Sequence, residues 1–74
     1  MSPGTQAVLH HLAKRSDTVV GIALAVFYDT TSVRKMTLRL SRAGLITTPP
    51  GRKRTAPAFW TITEAGRRAQ AGLS

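Results

Sequence analysis

The chain has no cysteine and few acidic or aromatic residues. Without cysteine, its 74 residues contain no disulfide framework and no thiolate ligands for a metal. Its only acids are Asp17, Asp29 and Glu64, and its two histidines, His10 and His11, are adjacent. These residues supply neither a paired acid and base nor a catalytic triad, and adjacent side chains on a helix diverge by about 100°. We therefore expect no enzyme activity, no metal site and no cofactor.

Long hydrophobic runs are also missing. The longest, Val19 to Tyr28, is about half the length that a helix needs to cross a bilayer. No secretion signal precedes it, because the N-terminus lacks a basic segment followed by an apolar stretch and a cleavage pattern. We expect a cytoplasmic, nucleoid-associated protein with no membrane partner. Because no repeat or linker divides residues 1–74, the sequence predicts a single domain with a small core.

Positive charge is the strongest feature that is present. Lys and Arg total 11 against three acids, which gives a formal net charge of +8. Such a balance predicts a polyanionic partner, and nucleic acid or an anionic membrane surface would satisfy it. Since 42% of the residues are hydrophobic, the charge does not indicate disorder.

The segment from Thr30 to Ile46 predicts an amphipathic helix, about residues 30–43, followed directly by a strand. The hydroxyl residues 30–32 are predicted to cap its start, and Gly44 to end it in the left-handed conformation. One face is apolar and is predicted to lie on the core: Val33, Met36, Leu40 and Ala43. The opposite face is basic and is predicted to face nucleic acid: Thr31, Arg34, Lys35, Leu38, Arg39 and Arg42. Ser32, at the start of the helix, is predicted to hold a phosphate together with Thr31 and Arg42.

Leu38 is unusual because it lies at the centre of the basic face. An apolar side chain framed by cations suits a thymine methyl group framed by phosphates and guanine edges. Contact with a neighbouring element or with a second chain is an equal alternative. The sequence leaves the two open.

Two helices are predicted before this one, over about residues 5–15 and 18–27. In the second helix, Val19, Ile22, Ala23 and Val26 form the stripe that a core requires. A second apolar stripe lies beside it: Val20, Leu24 and Phe27. This stripe is either buried within the monomer or forms a self-association surface.

A hairpin and a last helix are predicted after the basic helix. Strands at 45–48 and 58–62 flank a loop, residues 49–57, whose tip carries Arg52, Lys53 and Arg54. We predict that Trp60 packs in the core or under the basic helix, with nucleic-acid contact as the alternative. Thr63 is predicted to cap a short helix that runs to about Gly72.

Two motifs at this separation carry a family resemblance. They are Leu40-Ser41-Arg42-Ala43-Gly44-Leu45-Ile46 at the end of the basic helix and Trp60-Thr61-Ile62-Thr63-Glu64-Ala65-Gly66-Arg67 after the hairpin. With two preceding helices and a basic hairpin tip, the chain resembles a winged helix-turn-helix domain of MarR-like bacterial transcription regulators. It departs from the family pattern at Thr37, where leucine is usual, and at Phe27, where a small residue is usual.

The resemblance implies an α+β winged helix that binds double-stranded DNA in a sequence-specific manner. It places the helix of residues 30–43 in the major groove and the wing of residues 49–57 on the backbone or minor groove. Within it, Arg34 and Lys35 are expected to read guanine edges, with Arg39 at a base or phosphate. The expected protein is a small transcription regulator that binds as a homodimer or in tandem on repeated half-sites, with no small-molecule ligand evident.

Two other functions are compatible with the residues. One is a plasmid or phage factor for replication, segregation or transfer, which would use the same DNA-binding surface. The other is a winged-helix module that binds protein through Val20, Leu24 and Phe27. The salt dependence of affinity distinguishes DNA binding from protein binding, because a complex with DNA weakens steeply as salt is added.

Overall fold

The computed structural model describes residues 1–49 and 58–72. These residues form four helices and one pair of short strands. In chain order they are α1 (Pro3–Lys14), α2 (Val19–Val26), α3 (Thr30–Arg42), β1 (Ile46–Thr47), β2 (Thr61–Ile62) and α4 (Glu64–Gly72). This order confirms the predicted α+β plan, although both strands are shorter than the sequence indicated. None of the helices in the described ranges has the length and apolarity to cross a bilayer.

The strands form a two-stranded antiparallel sheet. Ile46 lies opposite Ile62, and Thr47 lies opposite Thr61. Beyond them, the segment between α1 and α2 adds an isolated antiparallel bridge from Asp17 to Trp60. The Trp60 N–H donates to the Asp17 carbonyl at 2.8 Å, and the Asp17 N–H donates to the Trp60 carbonyl at 3.2 Å. The returning strand is therefore tied to the helices before it enters the hairpin ladder.

Side-chain oxygens cap the first three helices. The Ser2 hydroxyl accepts from the Thr5 N–H and the Thr18 hydroxyl from the Gly21 N–H. At α3 the cap is Asp29, whose carboxylate accepts from the Ser32 N–H at 3.1 Å. The prediction that a hydroxyl of residues 30–32 caps α3 was therefore wrong, because the helix already includes Thr30 and the carboxylate before it is the acceptor.

The end of α3 follows the prediction. Gly44 adopts φ +78°, and the Leu45 N–H donates to the Leu40 carbonyl at 3.0 Å. This pairing satisfies one of the last helical carbonyls and turns the chain into β1. The geometry favours glycine at residue 44, because other L-residues strain in the left-handed region.

The core lies between α1, α2, α3 and the sheet, and every one of the predicted core helices contributes to it. Its buried apolar members are Val8, Leu9, Leu12, Ile22, Ala23, Val33, Leu40, Ile46 and Ile62. The predicted apolar face of α3 needs one correction. Ala43 is exposed because α3 ends at Arg42, whereas Thr37 is buried and its hydroxyl donates to the Arg34 carbonyl at 3.0 Å. The buried arc of α3 is therefore rotated toward Thr37.

The Thr63–Gly66 segment fixes α4 against the end of α3. The Thr63 hydroxyl accepts from the Gly66 N–H at 3.1 Å and donates to the Gly44 carbonyl at 2.7 Å, which confirms the predicted cap. Gly66 is buried against the Leu45 backbone, so closely that a Cβ at this position would overlap the Leu45 carbonyl oxygen. A side chain at residue 66 would force α4 away from the strand that follows α3.

The two histidines have different environments. His10 is exposed and pairs with Gln70 of α4, its Nδ1 lying 2.9 Å from the amide nitrogen. His11 is half-buried, and its Nε2 lies 2.9 Å from the Asp17 carboxylate. His11 makes this contact because the α1–α2 connection folds Asp17 back onto α1.

Candidate nucleic-acid interface

The predicted basic face of α3 is exposed and continuous along the last two turns of the helix. Lys35, Arg39 and Arg42 are exposed, and with Leu38 they line a shallow concavity of about 300 Å³. Every described residue that lines this concavity comes from α3. Leu38 is 51% exposed, so no described element of this chain covers it, and contact with a second chain stays an alternative to contact with DNA.

Arg34 is exposed but lies beside a different concavity. This second one, of about 360 Å³, is lined by Arg34 of α3, Thr18, Val19 and Val20 at the start of α2, and Ala58. Arg34 therefore lies where α2, α3 and the segment that returns from the hairpin loop meet. The sequence placed it with the other cations of α3, and the structure places it on the side of that basic face that borders the start of α2.

Asp29 sets the chemistry at the start of α3. The Ser32 hydroxyl donates to its carboxylate at 2.6 Å, and the Ser32 N–H donates as well. These hydrogen bonds hold the pKa of Asp29 below its ordinary value. The Ser32 O–H is therefore engaged within the helix cap, while Thr31 is exposed. The signal in the sequence is an acid directly before the helix, followed by Ser three residues later.

The cations of α3 have no acidic partner in the described part of the chain. The two ion pairs within residues 1–49 and 58–72 join His11 to Asp17 and Arg68 to Glu64. Arg34, Lys35, Arg39 and Arg42 take part in neither. Their charge is therefore not neutralised by a described residue. A helix face of this kind is available to an external polyanion.

The remaining predicted site residues fall into two groups. The tip residues Arg52, Lys53 and Arg54 lie outside the described residues. The α2 stripe is described and is exposed: Val20 by 60%, Leu24 by 74% and Phe27 by 93%. The alternative that this stripe is buried within the monomer is therefore wrong for the part of the chain that the structure describes. The core packs against the opposite side of α2, through Ile22 and Ala23.

Phe27 also departs from ordinary backbone geometry. It is the C-cap of α2, with φ 62° and ψ 34°, the left-handed conformation that favours glycine. This is the turn position at which the sequence departs from the family pattern. A bulky residue here carries backbone strain without gaining burial.

Trp60 packs against the core and is half-buried, as one of the two predictions for it required. Its backbone pairs with Asp17, whose carboxylate also accepts from the Thr18 N–H at 2.8 Å. Burial alone would raise the pKa of Asp17. Hydrogen bonds from His11 and Thr18, with the positive charges of His11 and Arg15, outweigh burial and lower that pKa. No group of three or more potential metal ligands occurs in the described ranges.

Comparison with solved structures places this arrangement among known folds. A MarR family regulator from Neisseria meningitidis superposes with a TM-score of 0.85 over 99% of this chain at 26% identity. The zinc-responsive MarR family member ZitR from Lactococcus lactis, in complex with DNA, superposes with a TM-score of 0.84 over 96% at 20% identity. The chain has a MarR-like winged-helix fold.

The winged-helix chain spans about half the length of these structures, covering 52% of the Neisseria regulator and 49% of ZitR. BpsR from Bordetella bronchiseptica, whose DNA binding is regulated by 6-hydroxynicotinic acid, is similar over 99% of the chain with a TM-score of 0.87 at 20% identity. No family model and no curated protein matches the sequence. In this winged-helix fold, α2 and α3 are the helix-turn-helix pair, and β1 and β2 form the base of the wing.

Proposed function

We propose that this winged-helix chain binds double-stranded DNA in a sequence-specific manner and acts as a small transcription regulator. The observation that carries the proposal is the basic face of α3, whose cations are exposed and have no described acidic partner. The opposite side of α3 is anchored by Val33 and Leu40, so the face is presented by a helix fixed on the core. ZitR, which shares the fold, has been solved in complex with DNA, and this supports DNA binding by a chain of this fold.

In the proposed complex, α3 enters the major groove and its residues divide the contacts. Arg34 and Lys35 in the first turns reach base edges, where arginine pairs with guanine in a bidentate manner. Arg39 reaches a base or the adjacent phosphate. Thr31, Ser32 and Arg42 hold phosphates, and Ser32 does so by exchanging the Asp29 carboxylate for a phosphate oxygen.

The loop tip supplies contacts of another kind. Arg52, Lys53 and Arg54 suit the backbone or a narrow minor groove, where cations add affinity with limited sequence information. The helix and the tip together then distinguish one site from bulk DNA. A plasmid or phage factor for replication, segregation or transfer would bind in the same way and differ only in the location of its sites.

We also propose that two copies associate through the α2 stripe, Val20, Leu24 and Phe27. In a two-fold contact each charge near the axis meets its own copy, and like charges repel. Helix α2 has no charged residue, whereas each of the other three described helices has at least one. In a chain of charge +8, α2 is therefore the helix on which a second copy can pack without repulsion.

The size of the stripe sets the strength of this contact. Its three side chains expose roughly 400 Å² per copy, about half of one side of a standard protein interface. A contact of this size gives a weak dimer. On DNA, two copies on neighbouring half-sites raise each other's effective concentration, so the same weak contact joins a larger fraction of the copies there.

A protein-interaction module is the second candidate, and the same exposed stripe favours it. In that case α2 would bind a different protein, and α3 would remain without a partner. The complex would be insensitive to salt, because α2 contributes no charge.

Selection from a random duplex pool tests the main proposal. The chain should enrich one sequence, palindromic or directly repeated, over the starting pool. Recovery of unrelated sequences with equal affinity would overturn sequence-specific binding. Absence of any duplex binding at low salt would overturn DNA binding itself and leave the protein-interaction module.

Arginine variants then test the division of contacts on the selected duplex. Arg34→Ala should lose about 1–3 kcal/mol and relax discrimination at one base position, because a base contact is removed. Lys53→Ala should weaken selected and random duplexes alike. Arg68→Ala, which removes the same charge from α4 away from the basic face, is the control and should change affinity far less. Equal losses on selected and random duplex for Arg34→Ala and Lys53→Ala would refute the division.

A further inference from the structure

Leu38 is the floor of the concavity on the basic face of α3. It is 51% exposed. Lys35, Arg39 and Arg42 line the same concavity, so the apolar floor is surrounded by cations. This arrangement is complementary to the wall of a DNA major groove, where an apolar methyl group stands between anionic phosphates: the apolar groups match and the charges are opposite.

We infer that the Leu38 concavity binds the 5-methyl group of a thymine, and that Leu38 determines specificity for thymine at one position of each half-site. The inference rests on the proposed DNA binding and adds to it the base that one residue reads. Thymine is the one standard base that projects an apolar group into the major groove. Its methyl group would replace water on Leu38, while the surrounding cations meet phosphates or guanine edges.

The geometry of α3 supports a direct contact. Leu38 lies on the helix one turn after Lys35 and Arg34 and one turn before Arg42, at the middle of the exposed face. The concavity, at about 300 Å³, has room for roughly ten water molecules, which is enough for the methyl-bearing edge of a pyrimidine. A longer polar residue at 38 would fill the concavity and meet the methyl group with a hydrated head.

Deoxyuridine tests the inference, because it differs from thymidine only by the missing methyl group. Each thymine of the selected duplex is replaced in turn by deoxyuridine, and affinity is measured at fixed salt. One replacement per half-site should weaken binding by the wild-type chain about fourfold, the value expected for one buried methyl group. Replacing the same thymine by cytosine should also weaken binding, and 5-methylcytosine at that position should recover part of the lost affinity.

Variants assign the effect to Leu38. Leu38→Ala should bind the thymine and deoxyuridine duplexes equally, because the shortened side chain at position 38 no longer reaches the methyl group. Leu38→Met, which keeps the apolar volume, should retain the difference. Leu24→Ala is the matched control: it truncates an exposed leucine of α2, and its ratio of thymine to deoxyuridine affinity should equal that of the wild type whatever its overall affinity.

The outcomes separate this inference from the function on which it rests. The wild-type chain could select a sequence while every deoxyuridine replacement changes its affinity and that of Leu38→Ala by the same factor. In that case DNA recognition stands and the methyl site is overturned. A selected site without thymine would have the same meaning. If the wild-type chain selects no sequence, sequence-specific recognition fails first.

Discussion

At the scale of single residues, Gly66 and Asp17 hold the elements around the basic helix in place. Gly66 allows α4 to touch the Leu45 backbone directly after α3. Asp17 joins the α1–α2 connection to His11 through its carboxylate and to Trp60 through its backbone. Neither residue lies on the basic face. Both hold the elements from which that face projects.

Gly66→Ala should lower the free energy of unfolding by about 2 kcal/mol, because the added methyl group would overlap the Leu45 carbonyl and displace α4. Denaturant unfolding followed by circular dichroism measures it. Gly72→Ala is the matched control in the same helix, since nothing lies within 4 Å of its added Cβ. It should match the wild type or gain up to about 1 kcal/mol from helix propensity. Equal effects of the two variants would show that the Gly66 contact does not limit stability.

Asp17→Asn should destabilise the chain by about 1 kcal/mol at pH 5, since it replaces charge-assisted hydrogen bonds with neutral ones. The folded pKa of Asp17 is lowered below 3.8, so the carboxylate stabilises the fold above that value. This stabilisation is lost as the pH falls through the folded pKa. The difference between wild type and variant should therefore shrink below about pH 3.8.

Denaturant midpoints from pH 6 to pH 3 measure this pH dependence. Glu64→Gln is the control, because the pair of Glu64 with Arg68 is exposed and contributes little at any pH. A difference between wild type and Asp17→Asn that is constant across the range would contradict the role of the ionised carboxylate.

At the scale of elements, α2 and α3 have opposite exposed surfaces. The exposed face of α3 is basic around one leucine, whereas that of α2 is uncharged and apolar. The two surfaces come together where Val20 and Arg34 line one concavity. A second copy on α2 would therefore lie at the edge of the surface that we assign to DNA.

Two α2 variants test the proposed association by analytical ultracentrifugation. Leu24→Glu should dissociate the dimer, because each copy would bring a carboxylate to the contact. Phe27→Gly should weaken association while raising monomer stability by about 1 kcal/mol, since glycine accepts the left-handed conformation without strain. Ala65→Glu makes a comparable charge change on the exposed side of α4 and should leave association unchanged. A wild-type chain that is monomeric at micromolar concentration would refute the proposal.

At the scale of the whole molecule, net charge governs affinity. The chain carries +8, and four unpaired cations of α3 with three of the loop tip are assigned to DNA. Arg42 and the three tip residues are assigned to phosphates, with Arg39 as a fifth if it does not read a base, so the plot of log affinity against log salt should have a slope of about −4 to −5.

Titrations of the selected duplex between low and physiological salt measure this slope. The double variant Arg39→Ala, Arg42→Ala should flatten it by about two if both residues meet phosphates, and by less if Arg39 reads a base. A slope near zero for the wild-type chain would be incompatible with the assignment and would favour the protein-interaction module.

The sequence alone determined the order of elements and the two faces of α3. Helix periodicity is local, so the spacing of Val33 and Leu40 against Lys35 and Arg39 predicts opposite faces without knowledge of the fold. Caps at Thr63 and Gly44 are local for the same reason, and the excess of cations over acids indicates a polyanionic partner in any fold.

Tertiary structure decided what depends on contacts between distant residues. Burial of Thr37 in place of Ala43 follows from how α3 is rotated against α1 and α2, and the Asp17 bridge to Trp60 spans most of the chain. The exposure of Val20, Leu24 and Phe27 was open in the sequence, because an apolar stripe looks the same whether or not another element covers it. Only the packing of the described helices showed that nothing among them does.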